Sequence, residues 1–265
     1  SCLAHLISGK VRVVIAEALA LFQPTISPEQ LKDYLVILKE GKELEREEFI
    51  QKLLTCGYQI TERVEEEGEL SVRGGIIDLY PPQSPLPVRI ELFGNQIESL
   101  RLFDPETQRS QEKVSEALVY PARELILEEE QSSRLKSQLF RLAEELKKQS
   151  LSAQTSYVRS LKELLNYLER KEPFYSQERF LSLAGADSSL LDYLDQNWLL
   201  AIIDPLSCEK ELERIQEKSE QEWARLTGGG SLLPPPEKIF LPLQKIKEKW
   251  KDKQKIIFGP APRGR

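Results

Sequence analysis

The chain has 265 residues, 40% of them hydrophobic and 30% charged, with a formal net charge of −6. That length allows one large domain or two to three small ones, and no apolar run is long enough to span a bilayer. Three scattered cysteines, Cys2, Cys56 and Cys208, suit neither a zinc site nor a disulfide framework, and the expected compartment is a reducing cytoplasm.

Val11–Ile15 (VRVVI) is a short β-branched run and predicts a buried parallel strand. Gly9-Lys10 before it is no phosphate-binding loop, because the upstream glycine is missing and Val11 stands where a Ser or Thr would hold magnesium. The single His5 has no partner pattern and reads as a surface or packing residue. Ser27-Pro28-Glu29-Gln30 starts a helix, with Ser27 as N-cap and Pro28 in the first helical position. Leu31, Tyr34, Leu35 and Leu38 form its apolar stripe and Gly41 its stop. A second helix is predicted from Leu44 to Thr55, with Phe49, Ile50, Leu53 and Leu54 inward and Gly57 ending it.

From Gly68 to Phe103 the pattern changes to period two, the signature of half-buried strands. Val88, Ile90 and Leu92 fall on one face; Arg89, Glu91 and Phe93 fall on the other, which is expected to be exposed. Gly94-Asn95 is a hairpin turn, and a phase slip after Ile97 predicts a bulge near Glu98-Ser99. Gly74-Gly75 marks a bend or a close approach, and Pro81-Pro82 ends that strand. The expected product is a compact antiparallel module over 61–124. Its 13 acidic and 7 basic residues carry the whole net charge, which argues against sequence-independent DNA binding.

Ser132–Lys148 and Ser152–Lys171 read as amphipathic helices, the first with Leu135, Leu139, Leu142 and Leu146 inward. Trp198–Ile203 predicts another buried strand, and Ser207–Leu226 a long charged helix. Gly228-Gly229-Gly230 and Pro234-Pro235-Pro236 predict a linker or loop. A short helix near Leu243–Lys251, a strand-like KIIF and a frayed tail follow.

No constellation points to catalysis. Asp204 ends an apolar strand as a magnesium-binding aspartate would, but Pro205 follows where an acidic residue should activate water, and no phosphate loop exists. The runs Glu65-Glu66-Glu67 and Glu128-Glu129-Glu130 read as solvated surface, and one histidine without a motif makes no triad. Phe93 with Arg89 on one strand face reads either as an interface anchor or as the cap of a second small core.

The runs RGGIIDLYPP, PVRIELFGNQIESLRLFDPETQRS and YPARE resemble the UvrB-like second domain of the bacterial transcription-repair coupling factors, with FQPTISPEQL resembling the stretch before it. The resemblance implies an α/β and α+β multidomain chain. Degenerate UvrB-like parts of P-loop ATPase type, at 1–60 (a trailing part) and 125–265 (with a C-terminal linker and tail), would flank the small β-rich module at 61–124. It implies UvrA as partner, with Arg73, Arg89 and Phe93 at the positions of the UvrA-binding residues and Arg101 and Arg109 as weaker candidates. Ser1 opens in mid-pattern in a chain without methionine, so a fragment or processed product is expected. By the resemblance, RNA polymerase and duplex DNA would be reached only through domains absent here, and ATP and magnesium would serve the family's motor. No cofactor, metal, catalytic residue or membrane contact is expected of this chain. Its role would be to recruit nucleotide excision repair to stalled RNA polymerase. The alternative is a fragment of a UvrB-type DNA-dependent ATPase. Truncating Arg89 is expected to weaken UvrA binding and leave stability nearly intact.

Overall fold

The computed structural model describes residues 2–9, 11–82, 84–149, 153–170, 174 and 176–259. Helix α1 (Cys2–Ile7) buries Leu3, Ala4 and Leu6, and His5 packs edge-on to Tyr120 with ring centroids 6.3 Å apart. Lys10 of the rejected phosphate loop lies outside the described residues. The VRVVI run is not a buried strand. It is irregular chain, with Val13 74% and Ile15 95% exposed. A parallel strand persists when neighbours pair its edges and helices cover its faces, and no strand among the described residues pairs with this run.

Two short helices follow, α2 (Ala18–Phe22) and α3 (Pro28–Tyr34). Ser27 caps α3 as expected, its hydroxyl accepting the Gln30 N–H at 3.1 Å. The helix ends at Tyr34, well short of Gly41, because Val36–Lys39 is drawn into a strand, β1, that pairs antiparallel with a strand 80 residues on. Leu38 is buried, 1% exposed, but from β1 rather than from a helical stripe. Helix α4 (Arg46–Thr55) matches its pattern: Phe49, Ile50 and Leu53 are buried, and Gly57 follows at φ +87°.

The six-stranded sheet is built from β2 (Gln59–Ile60), β3 (Glu69–Arg73), β4 (Ile76–Leu79), β5 (Val88–Phe93), β6 (Gln96–Phe103) and β7 (Ser110–Val114). They lie in that order, β2 parallel to β3 and every other pair antiparallel. Strand β8 (Glu116–Val119) turns away to pair with β1, Val36 opposite Val119. Period-two patterning sends Leu70, Ile77, Leu79, Ile90 and Leu100 to one face, all 0% exposed, in a single cluster with Phe49, Leu53, Leu31 and Leu38. Burying each such side chain stabilises the fold by roughly 1.5–3 kcal/mol. The bulge falls where the phase slip placed it: Glu91 faces Ser99 and Leu92 faces Ile97, so Glu98 is the extra residue.

Beyond the sheet, α5 (Glu129–Gln149) and α6 (Gln154–Arg170) pack through Leu135, Leu139, Leu142 and Leu146 on the first and Tyr157 and Leu161 on the second. Ser152 and Lys171, expected as helix ends, lie outside the described residues. A short α7 (Leu181–Ala184) follows, then β9 (Leu199–Ile203), which forms as predicted but is not buried: Leu199 is 54% and Ile203 72% exposed. Its described partner is the parallel β10 (Gln254–Phe258), reached through α8 (Pro205–Gly228), α9 (Pro236–Ile239) and α10 (Leu243–Trp250). The glycine triplet opens no free linker: α8 runs through Gly228, and Gly230, at φ +94°, is pressed against Ser156. The expected frayed tail, 260–265, lies outside the described residues. The whole is a mixed helix–strand fold with antiparallel sheets. Among the described residues no helix is long and apolar enough to cross a membrane.

Glu124 sits where the sheet region meets the C-terminal helices, beside a cavity of about 310 Å³ lined also by Gln30, Gln131, Arg134 and Asp187. Burial, with Glu178 adding repulsion, pushes its carboxyl up to about 7. Its ordinary value, the one it takes in the unfolded chain, is 4.5. The fold therefore holds the proton more tightly, and stability declines as pH rises from about 4.5 to about 7. Glu124→Gln is expected to raise stability by about 1–2 kcal/mol at pH 8 and to change it little at pH 4, as melts at the two pH values will show.

Candidate partner-binding face

Both glycine turns lie at the same end of the sheet. Arg73 faces Ile76 across Gly74-Gly75, and Phe93 faces Gln96 across Gly94-Asn95. Gly74 and Gly94 take φ of +60° and +59°, a conformation that costs other residues steric strain. Gly75 meets a second demand. Its carbonyl accepts the Leu92 N–H at 2.8 Å, and a Cβ there would come 2.8 Å from the Leu92 carbonyl oxygen. Gly75→Ala is expected to cost about 1–2 kcal/mol in a thermal melt, because backbone rather than a flexible side chain must yield.

The outer face of β3–β4–β5 carries the sequence-predicted residues. Phe93 ends β5 and is 79% exposed, so it does not cap a second core. Arg73 ends β3, its side chain 55% exposed, and donates from one guanidinium nitrogen to Asp78 Oδ2 at 2.7 Å. Arg89 corrects the expectation of an exposed side chain: it is 16% exposed and fully engaged. Its Nε donates to Asp78 Oδ1 at 2.7 Å and an Nη to Oδ2 at 2.9 Å, the forked geometry in which arginine binds carboxylate best. The other Nη reaches the Gln108 carbonyl at 3.4 Å, and the guanidinium lies 4.7 Å from the centroid of the buried Phe103 ring. The bonds to Asp78 push the Arg89 pKa further up.

Asp78, 1% exposed, was not singled out from the sequence. The available signal was its place as the one acidic residue in the RGGIIDLYPP run, on an outward position of β4 that pairs with Arg89. The face is roofed by the chain around Val64 and Gln108, where Gln108 at φ +61° donates to the Val64 and Pro105 carbonyls. Arg101 stands opposite Arg89 on β6 and lies 3.9 Å from Glu91. The Arg109 carbonyl accepts the Asp104 N–H at 3.0 Å, closing the expected turn. Asp204 caps α8, accepting the Ser207 N–H at 3.1 Å and the Ser207 hydroxyl at 2.7 Å.

Residues 36–125 match the family described as the UvrB interaction domain. The match begins at β1, which β8 holds to the sheet region, and takes in α4. The chain is 32% identical over 234 residues to the transcription-repair-coupling factor of Bacillus subtilis (strain 168), covering 83% of this chain and 19% of that protein. Against the factor of Myxococcus xanthus the identity is 29% over 216 residues, covering 79% and 17%. Against that of Haemophilus influenzae (strain ATCC 51907 / DSM 11121 / KW20 / Rd) it is 26% over 265 residues, covering 97% and 22%. The chain spans about a fifth of the length of these relatives. It carries a UvrB interaction domain and is related over most of its length to transcription-repair coupling factors, as its motifs implied.

Proposed function

We propose that this chain, whose residues 36–125 form a UvrB interaction domain, is a non-catalytic interaction region that binds UvrA through the outer face at Arg73, Arg89 and Phe93. In a protein like its coupling-factor relatives it would recruit nucleotide excision repair to RNA polymerase stalled at DNA lesions. The observation that carries this reading is Phe93: a large aromatic left 79% exposed on a strand end, at the same end of the sheet as the half-exposed Arg73. Aromatic and arginine side chains dominate protein-binding hot spots.

We read the flanking parts as UvrB-like and of P-loop ATPase type, without the nucleotide-binding motifs. Two observations support this: the parallel β9–β10 pair joined through helices, and Asp204 serving as a helix cap. On this reading the chain holds no cofactor, works in the cytoplasm, and meets polymerase and duplex DNA through other parts of a longer protein. The test is co-elution of the purified chain with UvrA from the same cell. A complex at micromolar concentration is expected, and separate elution of two folded proteins would overturn the proposal.

A further inference from the structure

We propose that Asp78 is the positioning residue of this face, and that Arg89 serves the partner through Asp78 rather than by touching it; this rests on the reading that the face at Arg73 and Phe93 is the binding site. The carboxylate accepts three bonds from two arginines, at 2.7, 2.7 and 2.9 Å, while itself 1% exposed. Two guanidinium groups this close repel each other, and the shared carboxylate holds them side by side. The two arginines are not equivalent. Arg89 spends its fork on Asp78, lays its guanidinium over the Phe103 ring, and donates to the Gln108 carbonyl. Arg73 gives Asp78 a single nitrogen and keeps the rest of a half-exposed guanidinium outward, next to the Gly74 turn. Arg89 thus fixes Asp78 and offsets its charge, Asp78 fixes Arg73, and Arg73 with Phe93 meets the partner. The net single positive charge so displayed suits an acidic group flanking an apolar pocket.

Anchoring one long side chain in advance removes the cost of ordering it on binding, which corresponds to roughly two- to tenfold in affinity. Titrations of purified UvrA test the proposal with Asp78→Asn, Arg73→Ala, their double variant and Phe93→Ala, all well below their melting temperatures. Asp78→Asn is expected to weaken binding about three- to tenfold, and the double variant to bind no worse than Arg73→Ala, because Asp78 acts only through Arg73. In the arginine side-chain 1H–15N spectrum, assigned by Arg73→Ala and Arg89→Gln, both arginine signals are expected to move in Asp78→Asn. If Asp78→Asn alone folds poorly, Asp78→Asn with Arg89→Gln removes both charges and must show the same loss. Unchanged or tighter binding by Asp78→Asn, or losses that multiply in the double variant, overturn the proposal while leaving the face as the site. Wild-type binding by both Arg73→Ala and Phe93→Ala instead removes the face, and this proposal with it.

Discussion

Val88→Asp is expected to unfold the sheet. Val88 is 3% exposed and sits between Leu79 on β4 and Leu102 on β6, one residue from Arg89 and two from the fully buried Ile90. Its side chain points into the cluster shared with α4 and β1. An ionised carboxylate there has no hydrogen-bond donor from the core face, and burying one costs several kcal/mol even after relaxation. A domain of this size is stable by only about 5–15 kcal/mol, so a loss of about 4 kcal/mol or more approaches the whole margin. Circular dichroism should show a melting temperature lower by about 10 °C or more, or no cooperative transition. A melt within a degree of wild type would mean that this face of β5 is not the core.

Arg89→Ala carries the second large effect, and it acts on stability before it acts on binding. Removing the guanidinium leaves Asp78 buried with one bond from Arg73 in place of three. It also uncovers the Phe103 ring. Breaking a buried pair by deleting one partner costs about 3–5 kcal/mol, and the remaining Arg73 contact places this case at about 2–3 kcal/mol. Phe93→Ala removes a side chain that is 79% exposed and should stay within about 0.5 kcal/mol of wild type. The contrast is read in one pair of melts: a fall of several degrees for Arg89→Ala and almost none for Phe93→Ala. Equal melting temperatures would remove the ion pair from the account.

What the amino-acid pattern revealed follows the range over which each interaction acts. Ser27 capping α3, the bend and close approach at Gly74-Gly75, the Gly94-Asn95 turn, and the bulge at Glu98 depend on a few neighbouring residues, and all were legible; that Gly74-Gly75 closes a hairpin was not. The inward set Val88, Ile90 and Leu92 was legible because one strand face repeats every second residue; Val88 and Ile90 are buried and Leu92 is partly buried against the same cluster. The strand at Val36–Lys39 was missed because it is specified by β8, far along the chain, against a local pattern that also suits a helix. VRVVI and the β9 segment have the composition of buried strands, but composition does not supply the neighbours that bury them: VRVVI has no strand partner among the described residues, and β9 pairs with β10 yet remains exposed. At the candidate site the exposure of Phe93 was an open alternative, and the burial of Arg89 was missed. Alternation assigns a side chain to a face but is silent about chain that later folds across that face, as the Val64 and Gln108 segments do. Asp78 was missed for the same reason. Its importance lies in two cross-strand partners that a linear reading separates.

The most direct test of the account is the affinity of UvrA for the chain and for its Phe93→Ala variant, measured by titration with melting temperatures recorded alongside. Loss of a buried aromatic anchor is worth about 2 kcal/mol, or more than tenfold in Kd. The expected result is that loss of affinity with an unchanged melt. Wild-type affinity from the folded variant would contradict the central claim that Phe93 anchors the partner on this face.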